Sequence, residues 1–249
     1  MALAKAPHDA AARGARWPPR LSAAARLDIA LLVEQLAARP LWALLERALA
    51  RLPGRPFGIT RFYVLELGAP PRAGRVAAEG FAVRAATRAD LAELARLEQK
   101  PAGRLAVRFD RGDYALCAVS GGEIVGYEWF SEQPFFLEEK TGYTFEIPGD
   151  GVYAYDAFVA LVWRGRGVLG ALQTAVRDLM PRRGRSRVLS MIQHDNRVSL
   201  TAHLRLGFRV ARRLLVLTAL GRALAFAVGP GGPSPGYGLS PLRQYAGRP

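Results

Sequence analysis

The chain has one cysteine, Cys117, in 249 residues. An internal disulfide framework and a cysteine-ligated zinc site are thereby excluded. Lysine is nearly as scarce: Lys5, Lys100 and Lys140 are the only three, so almost all the positive charge is arginine. No apolar run reaches the roughly 18 residues that a bilayer-spanning helix needs. Met1–Arg20 is rich in Ala, Arg and Pro but lacks the apolar core of a secretory signal. No internal repeat is visible. A cytoplasmic protein is the expectation.

Half of the residues are hydrophobic, so the chain is globular. Its length allows one good core with an appendage, or two small domains. The net charge of +14 invites a nucleic-acid or anionic-membrane partner. Arginine accompanied by abundant Ala, Gly and Pro is also what a GC-rich genome yields with no selection for polyanions. Residues 163–213 carry twelve arginines against Asp178 and Asp195, whereas residues 123–156 carry eight acids against Lys140 alone. The chain is electrically two-ended. Its basic residues are not interleaved with aromatics in a nucleic-acid motif, so no specific nucleic acid is expected.

Met1–Arg20 reads as a disordered tail. Helical spacing of apolar residues follows over 21–39, and a second short helix over 41–52. Ile59–Leu67 is a strand and 69–80 a linker, so 21–80 is taken as an N-terminal extension. Phe81–Arg84 is a short strand. Thr87 to Asp90 is a capping-box-like start for a helix through Leu91, Leu94 and Leu97. Tyr114–Val119 and Glu123–Phe130 form a hairpin about Ser120-Gly-Gly122. A long connection, 131–151, holds Phe135, Phe136, Tyr143 and Phe145. A strand over Val152–Val159 leads to a glycine-rich turn and a helix over Val168–Met180. Strand Arg187–Gln193, helix Val198–Leu206 and strand Phe208–Thr218 complete a domain at 81–220. Residues 221–249 read as a Gly/Pro-rich tail.

The stretch from Asp156 to Gly170 is the most informative. A β-branched and aromatic strand ends in Arg164-Gly165-Arg166-Gly167, and Val168, Leu169 and Gly170 open the helix. Glycines there let successive N–H groups approach a ligand without Cβ obstruction. A helix N-terminus favours an anion, so the turn reads as a pyrophosphate cradle.

The order of elements over about 81–218 resembles the Gcn5-related N-acetyltransferase (GNAT) superfamily. Its acyl-CoA loop, Arg/Gln-x-x-Gly-x-Gly/Ala, is matched by Arg164 through Leu169 except at the last position. A proline usual before that loop is Leu161 here. A second motif is matched by Asn196, Ser199, His203 and Gly207-Phe208, with histidine where tyrosine is usual. The resemblance implies an α/β (α+β) GNAT-type fold: a mixed, mostly antiparallel sheet flanked by helices. It implies acetyl-CoA or another acyl-CoA as co-substrate, and needs no metal. Residues 164–170 would hold the diphosphate. Phe158 and Val159 would offer backbone groups at a splay between strands. Asn196, with Ser199, would meet the pantetheine arm.

For the acceptor amine, Asp156 is a general base or ammonium anchor by this resemblance, and Glu128 is the second candidate. A bulge near Asp156 would re-aim its side chain. His203 would protonate the leaving thiolate, an imidazole being a competent donor near neutrality. Glu132, Glu138, Glu139 and Glu146 among aromatics suit a lid over a cationic acceptor, a small molecule or a peptide. His194 and Cys117 read as a loop residue and as packing. The expectation is an N-acetyltransferase acting by direct attack in a ternary complex. Its rivals are a CoA- or partner-binding module without turnover, and a nucleic-acid or membrane-surface binder. The helices over 21–52 could alternatively rest on a membrane or form a homodimer face.

Overall fold

The computed structural model describes residues 57–68, 80–219 and 222–228, with residue 48. The tail, the two N-terminal helices and the segment from 229 onward lie outside the described residues.

Ten strands and four α-helices are described. They are β1 (Phe57–Gly68), β2 (Ala82–Ala85), α1 (Leu91–Glu98), α2 (Ala102–Asp110), β3 (Tyr114–Ser120), β4 (Glu123–Ser131) and β5 (Phe135–Glu138). There follow β6 (Tyr143–Glu146), β7 (Gly151–Val159), α3 (Val168–Leu179), β8 (Arg187–Gln193), α4 (Arg197–Arg205), β9 (Arg209–Ala219) and β10 (Arg222–Val228). Eight strands form one sheet in the order β10-β9-β1-β8-β7-β4-β3-β2. Every neighbouring pair is antiparallel except β7 and β8. The mixed, mostly antiparallel sheet expected above is therefore present.

Local chemistry explains several elements. Gly121 (φ 58°) and Gly122 (φ 88°) take the left-handed conformations that a two-residue hairpin turn requires, which joins β3 to β4. The Thr87 N–H donates to Asp90 Oδ2 at 2.7 Å, closing the start of α1. Asp90 also accepts two bonds from Arg84, at 2.8 and 2.6 Å, and they hold its carboxyl far below the usual range.

The middle of the sheet is covered on both faces, as period-two alternation of apolar residues on both sides demands. Val168, Leu172 and Val176 of α3 pack on one face with Leu116, Ala118 and Val188. Leu94 of α1 and Leu105 of α2 pack on the other with Ala115, Cys117 and Trp129. Burial pushes the Cys117 thiol up to about 12, as an inert packing residue requires. Gly126 on β4 lies under the start of α3 and beside β7. A Cβ there would lie 2.6 Å from Val168 Cγ1 and 3.1 Å from the Phe158 carbonyl oxygen. Gly126→Ala is expected to cost about 2 kcal/mol and lower Tm by about 5 °C, measured by thermal melting.

Four features depart from the sequence reading. β1 is an interior strand rather than part of an extension, since it pairs with β8 on one edge and β9 on the other. Its apolar pattern is local, but which edges it joins is not. Residues 222–228, read as tail, form β10 on β9, with Arg222 opposite Ala219 across a two-residue connection. The long connection 131–151 contains a separate hairpin, β5–β6, in which Phe136 faces Phe145. Helix α2 was also not anticipated.

Candidate active site

β7 and β8 pair only from Gly151 and Arg187 to Ala154 and Ser190. Beyond that point β7 stays bonded to β4, whereas β8 stays bonded to β1. The two parallel strands therefore part, and a cavity of about 490 Å³ opens between them. Ala154–Ala157 and Ser190–Gln193 line it from the strands, with Phe136 and Glu138–Lys140 from the β5–β6 hairpin. Lys100, Arg108, Glu128, Asn196, Ser199 and His203 complete much of its wall.

The bulge in β7 is present. Tyr127 faces Phe158 and Trp129 faces Tyr155, so Asp156 and Ala157 together stand opposite Glu128. Asp156 adopts φ 46°, a left-handed conformation that Asp tolerates better than most residues. Its Oδ2 accepts from Lys100 Nζ at 2.8 Å and from Arg108 Nη2 at 2.5 Å. Burial works to raise this carboxyl, but the two cations outweigh it and leave it below its ordinary value. Such a carboxylate is a weak base already engaged with cations.

Glu98 closes this network. It accepts from Arg108 Nη1 at 3.1 Å and from Trp129 Nε1 at 2.7 Å, and lies 3.2 Å from Lys100 Nζ. The Arg108 guanidinium also sits over the rings of Trp129 and Tyr155. Two buried or half-buried cations thus balance two acids. Removing Arg108 takes one of its two cations from Glu98, whose side chain is 3% exposed, leaving it Lys100 and the Trp129 N–H. Arg108→Met is expected to destabilise by about 3 kcal/mol, read as a lower urea midpoint at unchanged slope.

Glu128 is different in kind. It is 1% exposed, and its Oε2 accepts from Gln173 Nε2 at 2.8 Å. Burial drives its carboxyl up to about 8, against the opposing pull of the Gln173 bond. A carboxyl poised there takes a proton readily near neutrality.

His203 is buried on α4 and packs edge-on against Phe208. Its Nδ1 lies 2.8 Å from the Ser199 carbonyl oxygen, which can only accept, so Nδ1 carries the hydrogen. Nε2 then bears a lone pair, and it is buried without a hydrogen-bond partner among the described residues. Burial lowers its pKa, more than the Ser199 bond raises it. A neutral imidazole with a bare Nε2 is a hydrogen-bond acceptor. The thiolate-protonating role expected from sequence is not what this state offers. Asn196 caps α4 by accepting from the Ser199 N–H at 3.2 Å, and both residues line the cavity. His194 stacks on Tyr63 just past β8.

The glycine-rich turn lies outside the cavity wall, at the surface. Gly165 (φ 76°) and Gly167 (φ 80°) are left-handed, and Gly167 is the N-cap of α3 with no side-chain cap. The first turn of an uncapped helix leaves its N–H groups unpaired. Arg164 Nε donates to the Val159 carbonyl at 3.2 Å, and Arg166 lies over the Trp163 ring. Val168 is buried, Leu169 half-buried, and Gly170 lets α3 approach Leu206, 3.2 Å from where its Cβ would be. Phe158 and Val159 pair with β4 on one side and have no pairing with β8 on the other. The turn could thus hold an anion at the surface, and the unpaired edge of β7 could meet an extended chain in the cavity.

Sequence reasoning missed Lys100, Arg108, Glu98 and Gln173. Lys100 carried a signal, being one of three lysines in an arginine-rich chain. The others carried none, because they meet their site partners from 31 to 48 positions away along the chain.

No family model matches the sequence, and no curated protein matches it at a significant level. Among solved structures, the chain is similar to a protein from Novosphingobium aromaticivorans named for the GNAT acetyltransferase family, at 15% identity and a TM-score of 0.47. That match covers 65% of this chain and 65% of that protein, just under two thirds of its length. An aminoglycoside N-acetyltransferase in complex with CoA is 20% identical, with TM-score 0.42, over 51% of this chain and 91% of that one. A ribosomal-protein-alanine N-acetyltransferase from Brucella melitensis is 22% identical, with TM-score 0.40, over 51% and 90%. At such identities the likeness does not specify activity or acceptor.

Proposed function

We propose that this chain is an acyl-CoA-dependent N-acyltransferase that moves acetyl from acetyl-CoA to a primary amine. The observation that carries the reading is the parting of β7 from β8 beyond Ala154 and Ser190, with an uncapped, glycine-entered helix just after β7. The amides at 165–170 would hold the diphosphate, and the arm would run into the cavity past Asn196 and Ser199. His203 Nε2 supplies an acceptor for an N–H or S–H of that arm.

Within the cavity, the attacking amine transfers its proton to the Glu128 carboxylate. Its nitrogen lone pair forms the new C–N bond at the acyl carbon, whose π electrons move to oxygen. An unpaired backbone donor at the edge of β7 stabilises that oxygen. The electrons return, the C–S bond breaks, and CoA leaves as thiolate, a tolerable leaving group at a thiol pKa of ~8.5. The proton held by Glu128 is released to water or to that thiolate. Asp156, tied to Lys100 and Arg108, shapes the acceptor pocket and its charge. An aromatic wall of Phe136, Tyr153 and Tyr155 flanks an amine-bearing small molecule or peptide end.

The test is calorimetry with CoA and acetyl-CoA, followed by thiol release against an amine panel: an aminoglycoside, a polyamine, an amino-acid ester and a short peptide. Micromolar binding, with thiol release from acetyl-CoA in the presence of one panel member, is the expected result. Binding with no release from any member would favour a CoA-holding module without turnover. No heat of association would remove the acyltransferase reading altogether.

A further inference from the structure

We infer that Gln173 on α3 is the positioning residue for the Glu128 carboxyl, fixing which oxygen faces the acceptor and keeping that oxygen a usable base. The inference rests on the acyltransferase reading for its catalytic consequence, but its physical content stands apart from it.

Gln173 is 1% exposed, as is Glu128, and each is an uncommon occupant of an apolar interior. The Gln173 Nε2–H donates to Glu128 Oε2 at 2.8 Å, while Gln173 Oε1 is buried with no partner among the described residues. An orphaned amide oxygen is costly, and Met or Leu would fill the same space without it. The fold nonetheless places that amide on the helix whose first turn forms the candidate cradle. Its one bond occupies Oε2. Glu128 Oε1 is then the oxygen left without a hydrogen-bond partner among the described residues, on a side chain that lines the cavity. A proton taken up by Glu128 therefore lands on the cavity side.

A hydrogen bond donated to a carboxylate favours its charged form. Gln173 thus opposes the burial that raises the Glu128 carboxyl and would otherwise raise it further. Among the described residues, the other charged or titratable groups around this cavity are Lys100, Arg108, Asp156, Glu138, Glu139, Lys140, Tyr153, Tyr155 and His203. None of them contributes to the Glu128 shift, which comes from burial and the Gln173 bond. Among the described residues, the polar lever on this base is the amide.

The test compares wild type with Gln173→Met and Gln173→Leu in three readouts. The first is direct titration of the Glu128 carboxyl by carbon NMR in full-length protein, with Glu128→Gln to assign the resonance. The second is the pH profile of thiol release from acetyl-CoA with whichever panel amine turns over. The third is Tm. Both Gln173 variants should raise the carboxyl midpoint by about one pH unit. They should slow release about tenfold at pH 7 with recovery near pH 9.5, and leave Tm unchanged or higher. A carboxyl midpoint unmoved in both variants overturns the inference, whatever the activity. A rate lost equally at every pH with a lowered Tm would also overturn it, in favour of simple packing. If the midpoint moves while Glu128→Gln keeps full activity, the positioning stands and the base assignment falls.

Discussion

Glu128→Gln is expected to lower kcat/KM by about 10²–10³, the usual contribution of a positioned general base. The Gln side chain keeps the shape and can still meet Gln173, but it cannot take a proton. Affinity for acetyl-CoA, read by calorimetry, should not change, because the candidate cradle at 165–170 lies outside the cavity wall. Wild-type activity should rise with pH through about 8, where the carboxyl loses its proton, and the variant's profile should lack that rise. Stability gives an independent check with a definite sign. The folded state holds the Glu128 proton up to about 8, whereas the unfolded chain releases it near 4.5. Between those values the unfolded state binds fewer protons, so wild-type stability falls as pH rises. From pH 6 to pH 8 the loss relative to Glu128→Gln should be about 2 kcal/mol at 1.4 kcal/mol per unit, or roughly 5 °C in Tm. Parallel melting curves for the two proteins across that range would contradict the placement of a neutral carboxyl here.

Gly167→Val is expected to abolish measurable CoA binding, a loss of about 100-fold or more, with the fold retained. Gly167 sits at φ 80° as the N-cap of α3, a conformation that β-branched residues essentially do not adopt. Valine there must move the first turn of α3, and its methyls would stand where an anion meets the N–H groups. Gly165→Ala is the milder companion. Its φ of 76° strains alanine, but a Cβ there meets nothing within 4 Å. About a tenfold loss is expected from strain of about 1 kcal/mol plus partial obstruction. Circular dichroism would confirm that both variants fold, and calorimetry with CoA would rank them. Unchanged affinity in Gly167→Val would locate any CoA site elsewhere.

The two predictions draw on unlike information. The turn at 164–167 could be read from residues because its requirement is local: two glycines, a strand before and a helix after. The β3–β4 hairpin and the Thr87–Asp90 box were legible for the same reason. Glu128 and Asp156 were both nameable as acids near the acceptor, but their order was not. The bulge puts Asp156 against Lys100 and Arg108, which lower its pKa. Glu128 lies beneath α3 with only an amide for company. Sequence spacing gives no access to either environment. His203 was legible as a substitute at a motif position, whereas its tautomer follows from one backbone carbonyl.

The sequence by itself determined the short-range geometry: which segments extend, which coil, and where glycine frees the backbone to present amides. Tertiary structure alone decided that β1 lies between β8 and β9, that β7 and β8 part after Ala154, and which carboxyl is neutral. The reason is physical: backbone conformation depends on a few neighbouring residues. Strand order, desolvation and charge pairing depend on groups that meet only once the chain has closed on itself.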